Sequence, residues 1–600
     1  MPQSQELATV VPVPPKPLRQ HLPGAKATAY DERNNLRGPV LAKSAELIVT
    51  NAHILTMDEA VPRADAIAIA DGRILAVGTK GEIEALAGPD TRRIDGKGGS
   101  LLPGFIESHM HLFSGAAELE DLHLGGVKGF EALKTAVTDY AARNPDAPFL
   151  MAQLADYAIL SEKERVTRHH LDAILPDRPF AMSAADHHTV WANTAALEAA
   201  GLLQGKALGP GNEIVMGEDG LAIGELRESE AFGPVVALTG KERAELGLRT
   251  GGEPDPAPTP QERAADRAIL KQGLKFAARH GITSIHNMDG NLYTLELLAE
   301  IEAEGALDLR VKVPFHFKNF MQPQALDKAS RMAATYKSDW LSSGFVKMFY
   351  DGVLDGWTAV MVEPYADKPD WRGEPLFSPE RFKELAIEID RRGLQIAVHA
   401  IGDGAVRAVL DGYEAAREAN GARDSRHRIE HIEVTTPADI PRFADLGVVA
   451  SMQPPHPPGA MDFPLEPTIS VIGRDRWPYS YAWRSLKEAG AQICFASDWP
   501  VADISVLRGI KAAVMRRKWA DDLEDQSFTL MEAIEGYTAK GAHAGFADDR
   551  LGRLVPGYLA DFVLLDGNIE AIAPEAIDTL AVSMTVCGGK VSHEADSTSG

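Results

Sequence analysis

The chain has 600 residues, 45% apolar and 24% charged, which is an ordinary composition for a globular protein but too long for one hydrophobic core. Its 61 basic and 86 acidic residues give a net charge of −25, which argues against nucleic acid or an anionic membrane as a partner. Cys494 and Cys587 are the only cysteines, which excludes a disulfide framework and a cysteine-rich metal site.

Residues 1–44 are rich in proline and polar residues, and we predict an extended arm there. The N-terminal stretch lacks the basic region followed by an apolar region of a signal peptide. No apolar stretch approaches the roughly 20 residues of a membrane-spanning helix. These features together predict a cytoplasmic protein.

Short β-rich runs occupy residues 45–103, with "DG" and "GKGG" turn signals between them that are typical of hairpins. The same texture returns at residues 546–600, in "GRLVPGYLADFVLLDGN" and "VSMTVCGGKVSHE". The two segments are predicted to pair into one small β-domain. Two unrelated terminal caps are the alternative.

Residues 104–545 alternate short β-branched runs with amphipathic helices. One helix has clear ends: Thr259 caps it, Pro260 and Glu262 suit its first turn, and Gly281 ends it before the strand "ITSIHNM". This alternation predicts parallel strands, and the length suits an enlarged (β/α)₈ TIM-like barrel. A doubly wound sheet is the alternative, but no glycine-rich phosphate loop follows the first strand. Residues 239–260 are predicted to form a long surface excursion.

Several predicted strands end in residues that bind metals or carry protons. Catalytic groups of such barrels lie at the carboxyl ends of the strands, so these side chains are expected to meet on one rim. Neutral imidazoles and carboxylates are natural ligands of zinc and its first-row neighbours, and a two-residue spacing on a strand gives two imidazoles the same direction. The residues are His109, His111, Lys347, His399, His431 and Asp498.

Each of these residues, taken alone, also fits a structural role. A single strand histidine is usually a hydrogen-bonded core group, Lys347 fits a lysine that reaches solvent with its amine, and Asp498 fits a helix cap. The convergence of all of them favours the metal site.

Lys347 needs a chemical change before it can bind a metal, because an ammonium has no lone pair. A neutral, desolvated amine can add carbon dioxide and form a carbamate, which is an anionic carboxylate able to bridge two metals. Two metals about 3.5–4 Å apart would share a hydroxide and polarise a carbonyl oxygen. Asp498 is expected to take the proton of the water and pass it to the leaving nitrogen.

The chain resembles the metal-dependent amidohydrolase superfamily and, within it, amidohydrolase family 3, the YtcJ-like group. The resemblance covers residues 46–595 in the order of the family's motifs. It rests on "LLPGFIESHMHL", "DHHTVWANTAALEAAG", "GITSIHNMDG", "FVKMFYDG", "AVHAIGDGAV", "RIEHIEV", "FASDWPV" and "GRLVPGYLADFVLLD".

The resemblance implies a TIM-like barrel at residues 104–545 and a composite β-sandwich from residues 45–103 and 546–600. It places the six residues above on metal-site positions, with one or two divalent metals, most simply Zn²⁺, and leaves open whether Lys347 is carboxylated. His188 and Asn193 lie in the family's "H-x-x-W-x-N" stretch and become candidates for substrate binding, although core packing or a local hydrogen bond fits them too. Glu107 stands where the family has Asp, and we predict that it orients a ligand histidine from behind or forms an ion pair in the barrel.

The expected function is hydrolysis of an amide-type C–N bond (N-acyl, N-formyl or cyclic) by a metal-activated hydroxide. Ester or lactone hydrolysis and deamination are alternatives, because the same activated water attacks any electrophilic carbon. A regulatory or binding protein that keeps the fold without turnover is a further alternative. The expected partner is a small-molecule substrate, and a homodimer is left open.

Overall fold

The computed structural model describes residues 44–161, 163–184, 189–209, 212–240, 252–461 and 463–595. The predicted arm up to residue 43 and the middle of the excursion predicted at 239–260 lie outside the described residues.

The strands are, in chain order, β1 (Ala45–Leu55), β2 (Arg63–Ala70), β3 (Arg73–Gly78), β4 (Ala87–Asp95), β5 (Ser100–Pro103), β6 (Phe105–Met110), β7 (Leu122–His123), β8 (Leu150–Ala155), β9 (Phe180–Ala184), β10 (Thr189–Ala192), β11 (Glu213–Met216), β12 (Ala222–Arg227), β13 (Ile282–Asn287), β14 (Arg310–Lys312), β15 (Phe315–His316), β16 (Leu341–Ser342), β17 (Phe345–Phe349), β18 (Gln395–Ala400), β19 (Arg428–His431), β20 (Val449–Met452), β21 (Gln492–Phe495), β22 (Phe562–Leu565), β23 (Val582–Cys587) and β24 (Lys590–Glu594).

The α-helices are α1 (Lys80–Glu84), α2 (Leu112–Glu118), α3 (Phe130–Arg143), α4 (Arg168–Ile174), α5 (Thr194–Ala199), α6 (Ser229–Val236), α7 (Pro260–Arg279), α8 (Leu292–Ala303), α9 (Leu326–Thr335), α10 (Pro379–Arg391), α11 (Asp403–Asn420), α12 (Ile440–Leu446), α13 (Thr468–Ile472), α14 (Trp483–Glu488), α15 (Val506–Val514), α16 (Leu530–Gly536) and α17 (Ala539–Ala544).

The first sheet contains strands from both terminal segments. Its order is β24-β23-β22-β5-β1-β2-β3, with β4 paired to β1. The antiparallel pairing of β5 with β22 places Leu102 opposite Val563 and joins the two segments. Asp71 and Gly72, which both have positive φ, form the turn of the β2–β3 hairpin, as the "DG" signal predicts. The two terminal segments therefore share one sheet, and two unrelated caps do not agree with this pairing.

The strands that carry the predicted metal ligands are parallel. β6, β13, β14 and β16 form one run, and β15, β17, β18, β19, β20 and β21 form a second. Beyond β6 and β21, two backbone hydrogen bonds connect the runs: Asp498 N donates to His109 O at 2.9 Å, and His111 N donates to Trp499 O at 2.8 Å. This is the mixed α/β arrangement that the sequence predicts, with the carboxyl ends of the strands on one edge.

A separate six-stranded sheet lies between β6 and β13 in the chain, and sequence reasoning missed it. Its order is β11-β12-β10-β9-β8-β7, with parallel and antiparallel pairs. Its two faces bury separate apolar clusters, one containing Phe180 and Trp191 and the other containing Leu226 and Phe232. The prediction treated residues 104–545 as one barrel domain. Strands alternate with helices in the sequence of a barrel and in that of a sheet inserted into it, so the pattern does not distinguish the two.

The helix predicted from its capping signals is α7. Thr259 Oγ1 accepts from Glu262 N at 3.2 Å, and Glu262 Oε2 accepts from Thr259 N at 2.8 Å, so the predicted capping box is present. Leu270 and Leu274 pack into the main core, and β13 follows at Ile282 as predicted. Within the described chain, no helix has both the length and the apolar character that crossing a membrane requires.

Candidate metal centre

The predicted metal ligands lie within or just after parallel strands, and each is no more than 8% exposed. Their places are β6 for His109, the start of α2 for His111, β17 for Lys347, β18 for His399, β19 for His431 and the segment after β21 for Asp498.

Asp498 lies at the centre of the cluster. Its Oδ1 is 3.3 Å from His109 Nε2 and 3.2 Å from His111 Nε2, and its Oδ2 is 4.0 Å from His431 Nδ1. One ligand atom from each of His109, His431 and Asp498 lies within 4.8 Å of the other two. Imidazole nitrogens from two strands therefore converge on one carboxylate.

His399 and Lys347 join the cluster through neighbouring rings. The ring centroids of His399 and His431 are 4.5 Å apart. Phe349 stacks on His399 at 4.8 Å, and Lys347 Nζ lies 4.8 Å from the centre of the same phenyl ring. The structure thus brings together all six residues that the sequence selects.

Lys347 has a fully buried amine. Its side chain is 0% exposed, and Nζ makes no hydrogen bond to the residues that the structure describes. Burial lowers the pKa of Lys347 to about 8, although the charges of Glu430 and Asp498 oppose the shift. A buried amine without a partner is costly, so the environment of Lys347 is unusual for a lysine side chain.

Two buried carboxylates are hydrogen-bonded to His109 and His111. His109 Nδ1–H donates to Glu430 Oε2 at 2.7 Å, and His111 Nδ1 is hydrogen-bonded to Asp289 Oδ1. These bonds at Nδ1 fix the orientation of both rings, so that both Nε2 atoms face Asp498.

His431 is held in the same way by an amide, since its Nδ1–H donates to Gln453 Oε1 at 2.9 Å. Glu430 is itself held by Arg428, whose Nη2 donates to its Oε2 at 3.0 Å. Sequence reasoning missed Asp289, Glu430 and Gln453, although each lies in or just beyond a strand end, where the other site residues were found.

The electrostatics of the site follow from burial and from these partners. Burial alone would lower the pKa of His111, but the charges of Asp289 and Asp498 outweigh it and raise that pKa to about 9. Burial lowers the pKa of His399 to about 3 and keeps its imidazole neutral. His109 and His111 hold the pKa of Asp498 well below its usual range despite its burial, so the central carboxylate is ionised.

Glu107 bonds to backbone rather than to an imidazole. Its Oε1 accepts from Ser497 N at 2.9 Å and from His109 N at 3.4 Å. Burial raises the pKa of Glu107 to about 8. The prediction of an orienting role needs a correction: Glu430 orients the ring of His109, whereas Glu107 ties together the backbones of two strand ends.

Two site residues have left-handed backbone conformations, with φ of 77° at His431 and 63° at Asp498. This region is rare for residues other than glycine, and such strain persists where the surrounding contacts demand it. Both residues direct their side chains into the cluster, which links the strain to the site.

The two candidates for substrate binding fare differently. His188 lies outside the described residues. Asn193 is fully buried as the cap of α5, and its side chain uses both donors and its acceptor on backbone groups. Its amide oxygen accepts from the N–H of Phe180 and Ala196, and its amide nitrogen donates to the carbonyls of Leu175 and Arg178. These contacts explain Asn193 as a structural residue, and substrate binding by it stays a prediction.

The donor set fits a divalent metal. Among the described residues, His109 Nε2, Asp498 Oδ1 and Lys347 Nζ are buried atoms that make no hydrogen bond. Buried polar atoms are nearly always bonded, so His109 Nε2 and Asp498 Oδ1, unpaired and 3.3 Å apart, indicate a ligand at this point. Imidazole nitrogen and carboxylate oxygen are the ligands that zinc prefers.

A family model described as "Amidohydrolase family" matches residues 92–593. The chain belongs to the amidohydrolase family. Within this family, the relatives include "Protein LONG AFTER FAR-RED 3" of Arabidopsis thaliana, which is 31% identical over 87% of this chain and 88% of that protein. "Putative amidohydrolase YtcJ" of Bacillus subtilis is 28% identical over 90% and 98%, respectively.

Two further family relatives bear on chemistry. "N-substituted formamide deformylase" of Arthrobacter pascens is 25% identical over 92% of this chain and 99% of that protein. The crystal structure of an "uncharacterized metal-dependent hydrolase" from Pyrococcus furiosus is 25% identical, with a TM-score of 0.67 over 88% of this chain and 99% of that one. The amidohydrolase assignment and these relatives support a hydrolase.

Proposed function

We propose that this amidohydrolase is a metal-dependent enzyme that hydrolyses an amide-type C–N bond of a small molecule. The observation that carries the proposal is the convergence of His109, His431 and Asp498, whose ligand atoms lie within 4.8 Å of one another, while His109 Nε2 and Asp498 Oδ1 make no hydrogen bond among the described residues. The formamide chemistry in the name of one relative supports an N-acyl or N-formyl substrate.

The fold proposed for this reaction is a (β/α)₈ barrel. Val313 and Pro314 separate β14 from β15, and Ser343 and Gly344 separate β16 from β17, so each pair continues one strand position. Counted this way, the parallel strands occupy eight positions, which is the number in a TIM barrel. The hydrogen bonds beyond β6 and β21 support closure.

The residues proposed to hold the metal, most simply one or two Zn²⁺ ions, are those that the sequence selects: His109, His111, Lys347, His399, His431 and Asp498. Such an ion supplies a Lewis acid and makes water a nucleophile near neutral pH. Asp289, Glu430 and Gln453 keep the ligand imidazoles in the required tautomers.

Lys347 is proposed to act as a carbamate. Its neutral nitrogen attacks carbon dioxide, a C–N bond forms, and one proton leaves to solvent. The product is an anion with two oxygens, which suits a site where the unmodified amine has no hydrogen-bond partner among the described residues.

Asp498 is the proposed proton carrier. Its carboxylate is ionised and lies beside both imidazoles of the β6 pair, so it can accept a proton from the attacking water. The same oxygen then returns the proton to the leaving nitrogen, and the carboxylate is restored for the next turnover.

The test measures metal per chain and hydrolysis of N-benzylformamide, N-benzylacetamide, benzyl formate and adenine, before and after chelation. We expect about one or two zinc ions, amide hydrolysis that disappears on chelation, and recovery on adding Zn²⁺. Activity that survives complete metal removal contradicts the proposed mechanism. Hydrolysis of the ester alone or release of ammonia from adenine alone contradicts the proposed substrate class, and metal binding without any turnover favours a binding protein.

A further inference from the structure

His456 lies beside the proposed metal site, and the mechanism above does not use it. It follows β20, three residues beyond Gln453, and its backbone N–H donates to Gln453 O at 3.1 Å. The side chain is 8% exposed, and its Nε2 is buried without a hydrogen bond to any described residue. Buried polar atoms are nearly always hydrogen-bonded, so this nitrogen is available to bind a substrate group.

The ring of His456 is held in a fixed position. It stacks on His431 with centroids 6.0 Å apart and planes 8° from parallel, and it meets the ring of Phe463 at 5.4 Å. Its Nδ1 is 3.6 Å from Glu433 Oε1, and its Nε2 is 3.8 Å from Asp498 Oδ2. The unbonded nitrogen therefore faces the proposed proton carrier.

The neighbouring carboxylate determines which nitrogen carries the proton. Glu433 Oε1 lies nearer to Nδ1, at 3.6 Å, than Asp498 Oδ2 lies to Nε2, at 3.8 Å, so the tautomer that we take for His456 carries its N–H on Nδ1. This leaves a lone pair on Nε2. Asp498 Oδ2 is also an acceptor when ionised, and two acceptors cannot bond to each other at 3.8 Å.

A nitrogen that leaves an amide complements this pair. When the C–N bond breaks, its lone pair must take the proton from Asp498, while an N–H on the same atom can donate to His456 Nε2. The electron pair of the breaking bond stays on nitrogen, and the Asp498 proton completes the amine. An N–H bond to His456 therefore turns the nitrogen lone pair towards Asp498.

We propose that His456 accepts the N–H of the leaving nitrogen and makes the enzyme selective for secondary amides over tertiary amides and esters. This inference rests on the proposed function, because it specifies the substrate class of the same site. Neither an N-methyl amide nor an ester carries a hydrogen that His456 Nε2 can accept.

The experiment compares N-benzylformamide, N-benzyl-N-methylformamide and benzyl formate in wild type, His456→Phe and His456→Gln. Phenylalanine keeps the ring without an acceptor, and glutamine places an oxygen near the position of Nε2. We expect His456→Phe to lower the ratio of kcat/KM for N-benzylformamide to that for benzyl formate about tenfold, the effect of roughly one hydrogen bond in the transition state. His456→Gln should recover most of the ratio.

Phe463→Leu is the matched control, because it alters packing against the same ring without touching an acceptor. It should change the three substrates alike and leave the ratio near that of wild type. Zinc per chain and the thermal unfolding midpoint are measured for every variant, so that a loss of metal or of folding is separated from a loss of selectivity.

The inference is overturned if His456→Phe, at full zinc content, lowers kcat/KM equally for N-benzylformamide and benzyl formate. It is also overturned if wild type hydrolyses N-benzylformamide and N-benzyl-N-methylformamide with equal kcat/KM. If His456→Phe fails to fold, a ratio in His456→Gln near that of wild type supports the inference and a ratio that falls tenfold overturns it. Hydrolysis of the amides with an unaltered ratio contradicts only His456's role, whereas no amide hydrolysis at all contradicts the proposed function itself.

Discussion

At the residue scale, the site depends on buried polar side chains that are hydrogen-bonded to one another. His109 is held by Glu430, and Glu430 is held by Arg428, with all three side chains nearly inaccessible to solvent. Such groups are costly to bury unless they are bonded, and the bonds that offset this cost also fix the direction of the imidazole lone pairs. Lys347 is the exception, because its amine is buried without a hydrogen bond among the described residues.

Lys347→Ala tests whether a carbamate occupies this position. The substitution removes both the proposed anion and its link to the metal, so we expect kcat/KM for N-benzylformamide to fall at least about 100-fold. Added formate, acetate or propionate should restore part of the activity, since a free carboxylate can enter the space that the side chain leaves.

Lys347→Arg is the matched control, because it keeps a cation and fills the space. It should be inactive and should not respond to the acids. Full activity of Lys347→Ala without added acid removes Lys347 from the site, and rescue of both variants alike contradicts a carbamate.

At the element scale, local sequence signals define helix ends well, whereas they do not define the partners of strands. The capping box of α7 uses residues three apart in the chain, so its geometry follows from local conformation. The pairing of β5 with β22 joins residues more than 450 positions apart, and only the buried apolar surface around Leu101 and Phe562 selects it.

Thr259→Ala tests the energetic contribution of that cap. The change removes the hydroxyl that accepts from Glu262 N, so the free energy of unfolding should fall by about 1 kcal/mol. Urea denaturation followed by circular dichroism measures it. Thr138→Ala within α3 is the matched control: this exposed hydroxyl donates only to carbonyls of its own helix, and its loss should cost less than about 0.5 kcal/mol. Equal effects of the two changes contradict the capping role.

At the scale of the whole molecule, the sheet built from the terminal segments is bonded to the parallel strands of the site. Arg310 in β14 donates to both oxygens of Asp561, at 2.7 and 2.8 Å, and both residues are buried. Asp561 also accepts from Gly588 N at 2.7 Å, and its own carbonyl accepts from Gly104 N, just before β6. One carboxylate residue thus connects three distant parts of the chain.

Asp561→Ala leaves the guanidinium of Arg310 buried without its carboxylate, so the free energy of unfolding should fall by about 3–5 kcal/mol. The matched control is Glu594→Ala, which breaks the ion pair between Glu594 and Arg92, whose side chains are 51% and 47% exposed. An exposed pair contributes about 0–1 kcal/mol, so this variant should resemble wild type in urea denaturation. Similar losses in the two variants would contradict a special role for the buried pair.

The sequence alone predicted the mixed α/β class, the cap of α7 and the six residues that we propose as metal ligands. It could do so because strand ends, capping residues and ligand types are local properties: each shows in a few neighbouring residues. The inserted sheet at β7–β12 escaped it, because residue patterning shows that strands exist but not which sheet they join.

Only the tertiary structure decided which groups are hydrogen-bonded to the proposed ligand imidazoles. Asp289, Glu430 and Gln453 are ordinary polar residues until folding places them beside an imidazole, and the same holds for His456 beside Asp498. It also gave Glu107 its bond to Ser497 N, and Asn193 its bonds to the carbonyls of Leu175 and Arg178. The physical reason is that hydrogen bonds act over about 3 Å, and here they join strands that are far apart in sequence. The sequence gives the chemical identity of a residue, whereas the packing of the whole fold decides its hydrogen-bond partner.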